Sequence, residues 1–284
     1  MPRSLFSSAS VAFFVCLWFG SIALSAETGS RNVILSTTTS TQDSGLLDVL
    51  IPLFEKQTGH SVKTVSVGTG QALALAAKGD ADVALVHAPS LEKQFVSEGK
   101  LLNRRLVMYN DFVIIGPKED PAKVRSAKGA AGALKSIEQA KASFVSRGDN
   151  SGTHTLEKSL WKSAGIEPKG SWYIEAGQGM GATLGIANEK NAYAITDRGT
   201  LLALGKRVSL PILVDGDKAL LNIYSVLEVN PANGPRVNFA GGKAFADFMV
   251  APQTQSVIGT FGVEKFGQPL FVPVAGKKED ELGV

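Results

Sequence analysis

The sequence predicts an α/β fold of two lobes, each a mainly parallel sheet flanked by helices, the pair joined by two crossing strands. Three observations carry this prediction. From residue 31 onward, short apolar β-rich runs alternate with helical patterns. The order of glycine-flanked helix, tight polar turn, buried strand and loop occurs twice, in "GTGQALALAAKGDADVALVHAPS" and again in "GQGMGATLGIANEKNAYAITDRG". Two extended stretches, "RLVMYNDFVIIGP" and "LLNIYSVLEV", are long enough to pass from one lobe to the other. With 284 residues, 44% of them hydrophobic, the chain has enough apolar material for two cores.

Each element has its own local reason. "NVILSTT" reads as a strand, and in "SGLLDVLIPLFEKQTG" Leu46, Leu50 and Phe54 recur at helical spacing until Gly59 ends the pattern. Pro52 lacks the N–H that a helix interior uses, so a kink or two short helices are expected there. Strand "HSVKTVSVG", helix "GQALALAAKG", strand "ADVALVHA" and helix "SLEKQFVSEG" complete the first series. The second series runs through helix "SIEQAKA", strand "SFVSR", loop "GDNSGTHT", helix "LEKSLWKSAG", the polar "YIEAGQGMG", helix "ATLGIANEK", strand "NAYAITD" and helix "RGTLLALG". The crossing stretches place the first lobe at residues 31–111 plus 230–284 and the second at 112–229.

Residues 1–26 read as a secretory signal. Arg3 opens it, "VAFFVCLWFGSIAL" is its apolar stretch, and Ala23-Leu24-Ser25-Ala26 offers a cleavage site. The apolar stretch is shorter than the ~20 residues of a spanning helix, and bulky Phe14 and Val15 before Cys16 argue against lipid attachment. An exported, periplasmic protein is expected, with no disulfide because its single cysteine leaves with the signal. Without Arg3, the 29 Lys and Arg fall to 28 against 26 acids, a net charge of about +2. Such a balance, with no basic run interleaved with aromatics, gives no sign of nucleic-acid binding.

Two donor-rich stretches carry the chemistry. In "RNVILSTTTSTQDSGLL" hydroxyls fall between a strand and a helix, where unpaired backbone N–H groups and the helix dipole favour an anion. Capping alone needs one hydroxyl. "SVGTGQALAL" repeats the arrangement around Thr69, and "FVSRGDNSGTHTLEKSLW" sets Arg147 at a strand end beside Ser151, Thr153 and Thr155. A guanidinium there gives an oxyanion two parallel charge-assisted bonds, against the alternative of a surface pair with Asp149. Ser151, His154 and Asp149 have the residue types of a hydrolase triad, but all lie in one loop, whereas triad members come from separate elements. His60, His87 and His154 lack metal-ligand spacing. Neither "GTGQA" nor "GQGMGA" carries the full dinucleotide fingerprint.

The mature chain resembles, along essentially all its length, the substrate-binding proteins of tungstate ABC transporters, within the type II periplasmic binding proteins. The stretches "STTTSTQDSGLLDVLIPLFEK", "VGTGQAL", "ADVALVHAP", "MYNDFVIIGP", "SRGDNSGTHTLEKSLW" and "GQGMGATLGIANEKNAYAITDRGTL" match that family in order. The resemblance implies that Thr38, Ser40, Arg147 and Thr153 bind the oxyanion; Thr39, Thr69 and Ser151 join them on loop position as much as on the family. It implies no enzyme and no cofactor, a tungstate or molybdate ligand, and a membrane permease with its ATPase as partners. Tungstate is a fully deprotonated dianion, an acceptor only, so a dry site of hydroxyls, N–H groups and one guanidinium suits it, and a facing carboxylate does not. Phosphate keeps a proton and is served by one acid, and Asp149 and Asp43 keep it as a rival. Residue chemistry does not separate tungstate from molybdate.

Overall fold

A computed structural model describes Met1 and residues 31–283. The expected signal, apart from Met1, and Cys16 lie outside the described residues. The strands are β1 (Asn32–Thr38), β2 (Ser61–Val67), β3 (Val83–Val86), β4 (Leu101–Ile115), β5 (Phe144–Ser146), β6 (Tyr173–Glu175), β7 (Ala194–Asp197), β8 (Ile212–Val214), β9 (Leu221–Val229) and β10 (Val272–Pro273). The helices are α1 (Thr39–Asp43), α2 (Leu46–Thr58), α3 (Thr69–Ala77), α4 (Pro89–Ser97), α5 (Gly129–Ala140), α6 (Gly152–Ser163), α7 (Met180–Glu189), α8 (Arg198–Leu204), α9 (Phe239–Val250), α10 (Pro252–Thr260), α11 (Val263–Phe266) and α12 (Glu279–Leu282).

Both lobes are built on one plan. In the first, β1 pairs in parallel with β2 and β3, and β9 runs antiparallel beside β3, Val83 facing Glu228. In the second, β5 pairs in parallel with β6, a parallel bridge links Phe144 to Tyr193 just before β7, and β4 runs antiparallel beside β7, Phe112 facing Asp197. The sheets are therefore mixed: parallel strands form the site-bearing edge, and the antiparallel partner is the crossing strand. Strand β4 changes partners within its length, from β9 up to Asp111 to β7 from Phe112.

Strand β9, at the end of the segment assigned by sequence to the second lobe, pairs with β3 and with β4 up to Asp111. Val226 packs in the first lobe's core with Leu46, Leu50, Phe54 and Phe245 on one face of the sheet, and Leu227 and Val229 pack with Ala72, Leu73 and Ala76 on the other. Sequence pattern alone does not show which sheet a buried strand completes. The second lobe's sheet is likewise covered on both faces, by clusters around Phe112, Leu134 and Trp161 and around Val113, Leu184 and Ala194. Burial on both faces explains why these strands read as continuous apolar runs rather than alternating ones.

Two helix boundaries differ from expectation. Helix α2 continues through Pro52, and the break falls earlier, at Gly45, whose φ of 79° takes the chain out of the short α1. Helix α6 begins at Gly152 instead of Leu156, because the Ser151 hydroxyl accepts the His154 N–H and caps the first turn. Among the described residues no helix is long and apolar enough to cross a membrane.

Candidate anion-binding site

The "STTTS" run divides by function. Ser36 and Thr37 are fully buried in β1, and their hydroxyls donate across the sheet to the carbonyls of Val83 (3.4 Å) and Leu85 (2.7 Å). Thr38 caps α1, accepting the Thr41 N–H at 3.2 Å, and its hydroxyl also meets Thr41 Oγ1 (2.6 Å) and Ser40 Oγ (3.1 Å). Thr39 and Ser40 form the first turn of α1 and line the cleft.

On the other lobe, Arg147 follows β5 directly, and its side chain is only 13% exposed. Its Nε donates to Asp149 Oδ2 at 2.9 Å, while the Ser151 backbone N–H holds Asp149 Oδ1 at 3.1 Å. Burial by itself would raise the Asp149 carboxyl, but bonds from Ser151 and the Arg147 charge outweigh it and hold the group below the usual carboxylate range. The expected surface pair with Asp149 thus exists, yet Arg147 also lines the cleft opposite Thr39 and Ser40. Beneath the loop, buried Glu157 accepts from Ser146 Oγ (2.8 Å), Tyr173 OH (2.7 Å) and Trp161 Nε1 (3.2 Å), tying the Arg147 segment to α6 and β6.

The lobes touch where a helix start from each comes close to the other. A Cβ built on Gly152, at the start of α6, would lie 2.9 Å from His87 Cε1 and 3.6 Å from Thr69 Oγ1, at the start of α3. Only a glycine admits this approach. Thr38, Thr69 and Thr153 are all buried, and among the described residues no hydrogen bond engages the hydroxyls of Thr39, Thr69 or Thr153. The first-turn N–H groups of helices α3, α6 and α7 have no acceptor within their own helix, and Gly179, Met180 and Gly181 of the α7 start line the same cleft. The cleft cavity has a volume of about 460 Å³. Arg147, Thr39 and Ser40 line it; Thr38, Thr69 and Thr153 are not among its lining residues, Thr69 and Thr153 being at the seam, and Ser151 serves as the α6 cap.

Several groups in or beside the cleft escaped the sequence reading. His87 ends the run "VALVHA", at the carboxyl end of a parallel strand, which is where ligands gather in such sheets. Its Nε2 lies 3.1 Å from Thr38 Oγ1 and 3.3 Å from Ser40 Oγ, and its Nδ1 2.8 Å from Asn222 Oδ1. Burial lowers the imidazole to about 4, so it is neutral at pH 7. Asn110 and Asn222, polar residues inside apolar crossing strands, join Tyr224 in the network below it. Asp197 lines the cleft, but its carboxylate caps α8, taking the Thr200 N–H at 2.7 Å and the Thr200 hydroxyl at 2.8 Å. Asp43, already named from the sequence as an acid that could serve phosphate, lines the cleft as well.

The hydrolase constellation is absent from this geometry. Ser151 Oγ meets the His154 backbone, and His154 Nδ1 accepts the Asn150 N–H at 2.9 Å, so the imidazole is not aimed at the serine. Among the described residues no cluster of His, Cys, Asp or Glu is placed to hold a metal ion.

Two lobes sharing their crossing strands, with donors from both converging on a cleft, define a solute-binding protein of the periplasmic kind. The PBP superfamily domain matches residues 25–253. A tungstate-binding protein of Peptoclostridium acidaminophilum is 49% identical over 248 residues, covering 87% of each chain, and one of Campylobacter jejuni is 41% identical over 246 residues, covering 85% of this chain and 90% of its own. The solved tungstate-binding protein of Desulfovibrio alaskensis superposes with a TM-score of 0.77 at 47% identity, covering 86% of this chain and 99% of that one. The chain belongs to the PBP superfamily and, within it, to the family of these tungstate-binding proteins. It is a binding protein, not an enzyme.

Proposed function

We propose that this protein is the exported, periplasmic solute-binding component of an ABC importer, capturing tungstate between its lobes and delivering it to a membrane permease driven by an ATPase. The observation that carries this reading is that Thr39, Ser40, the α7 start and the Arg147 guanidinium line one cleft; with the hydroxyls of Thr38, Thr69, Ser151 and Thr153 nearby they make up the donor set of the proposed site. Such a set suits a dianion that only accepts hydrogen bonds. Family membership supports the choice of ligand.

The carboxylates near the site narrow the case for phosphate to a single acid. Asp149 and Asp197 are each engaged through both oxygens by groups of their own lobe, which leaves only Asp43 without a hydrogen-bond partner among the described residues. Closure is a hinge motion about β4 and β9, the ligand selecting the state in which both lobes contact it. We place the hinge in β4 at Asp111–Phe112, where the strand changes partners. The Arg198 guanidinium holds Asp111 there with two bonds, at 2.8 and 2.5 Å.

Calorimetry with tungstate, molybdate, sulfate and phosphate tests the reading. Tight binding of tungstate with weak or absent binding of sulfate and phosphate is expected; no heat with tungstate or molybdate ends it, and a preference for phosphate replaces it.

A further inference from the structure

The floor of the cleft contains a hydrogen-bond chain whose direction is fixed from below. Asn222 Nδ2 donates to Asn110 Oδ1 at 2.7 Å and to Tyr224 OH at 3.0 Å, so the amide oxygen of Asn222 faces His87. At 2.8 Å from that oxygen, His87 Nδ1 carries the hydrogen. The neutral ring therefore presents a bare Nε2 toward Thr38 and Ser40.

Counting hydrogens shows the consequence. Thr38, Ser40 and Thr41 bring three hydroxyl hydrogens. One is held in the 2.6 Å contact between Thr38 and Thr41, and one is drawn to His87 Nε2, which leaves one for an anion in the cleft. If Nε2 carries a proton, it donates to a hydroxyl oxygen, and the hydrogen it had drawn turns to the anion. The protonated ring also sets a positive charge beneath the ligand.

We propose that His87 is the positioning residue for the Thr38 and Ser40 hydroxyls, and that oxyanion binding in the cleft is coupled to uptake of one proton by His87. The inference rests on the reading of the cleft as an oxyanion site. The proton comes from solvent and forms the Nε2–H bond; no other bond changes. Among the described residues the surroundings contain no competing partner for the ring. From β1 and α1 it meets uncharged hydroxyls; from β9, Asn222 and the Tyr224 ring at a centroid distance of 4.7 Å, whose phenol burial keeps neutral; from α3 and α6, Thr69 and Gly152. The charged groups of the cleft are Arg147, Asp197, Asp43 and Lys265, and Glu92 of the following helix pairs with Arg104. Burial lowers the imidazole to about 4. A bound dianion favours the charged ring and raises that value. Affinity therefore increases as pH falls through the window between the free and bound values and is independent of pH above it.

The test is tungstate calorimetry at pH 5.5 and pH 8 in buffers of different ionisation enthalpy, with micromolar ligand. Wild type is expected to take up close to one proton per anion at pH 5.5 and none at pH 8, with affinity changing by up to about tenfold per pH unit. His87→Gln, which supplies fixed amide hydrogens instead of a titrating ring, is expected to bind without proton uptake and with flat pH dependence. Imidazole 15N spectra of wild type give a readout independent of any variant: at pH 5.5 the His87 ring is expected to pass from the neutral Nδ1–H form to the imidazolium on adding tungstate. Tungstate binding at pH 5.5 with no proton uptake, or with the ring still neutral, overturns the proposal and leaves the tungstate reading standing; absence of tungstate binding overturns both.

Discussion

Replacing Gly152 by alanine tests whether the lobes meet over the anion. The new methyl carbon would stand 2.9 Å from His87 Cε1, across the seam between lobes. Carbon atoms in contact prefer about 3.5–4.0 Å, so the closed seam must open by roughly half an ångström to one ångström. Overpacking of this kind costs about 1–3 kcal/mol where neighbours cannot yield, and His87 is held on both sides, by Asn222 and by Thr38. The strain falls on the closed state alone, because an open cleft separates α6 from β3. Gly152→Ala is thus expected to weaken tungstate binding by about 5- to 150-fold. The melting temperature of the free protein is expected to stay level or rise slightly, since alanine suits a helix start better than glycine. Calorimetry and a thermal melt, each with and without tungstate, measure both effects. Unchanged affinity would refute the argument that Gly152 and His87 approach in the bound state.

Other changes address the rest of the site. Arg147→Glu is expected to abolish oxyanion binding while the thermal melt of the free protein shows a folded chain, the loss exceeding the ~1.5–3 kcal/mol of a charged hydrogen bond because repulsion is added; unchanged affinity removes Arg147 from the site. Burial raises the Glu157 carboxyl above its ordinary value, so the folded state holds that proton more tightly than the unfolded chain. Its contribution to stability accordingly falls as pH rises from its ordinary value through its folded one, with a slope of at most about 1.4 kcal/mol per pH unit. Glu157→Gln is expected to flatten that part of the melting temperature's dependence on pH above the ordinary carboxylate range, and a profile parallel to wild type would show that Glu157 does not contribute to it.

Much of this protein was legible in its sequence because the relevant signals are local. The end of β1, the start of α3 and the Arg147 loop are each a strand followed by a helix start, and hydroxyls or an arginine at such a junction mark a candidate anion site wherever the chain goes next. The alternation of apolar runs specified the α/β class, and the repeated order of elements specified two similar lobes. The "STTTS" run spans the end of the strand and the start of a helix, Ser36 completing β1, Thr38 capping α1 and Ser40 lining the cleft.

What the tertiary structure decided is which distant segments meet. His87 is a single imidazole after a buried strand, and nothing within its own stretch distinguishes it from a surface histidine. It becomes part of the site only because β3 lies beside β1 and β9, bringing Thr38 and Asn222 to its two ring nitrogens from 49 and 135 residues away. The lobe to which β9 contributes was likewise settled by pairing, since a strand buried on both faces carries no mark of the sheet it completes. The need for Gly152 follows from the same cause: a residue with no side chain is required where two helix starts from different lobes approach, and that approach is a property of the tertiary fold rather than of the loop that contains it. Local chemistry chose the donors; packing between elements far apart in the chain chose their directions.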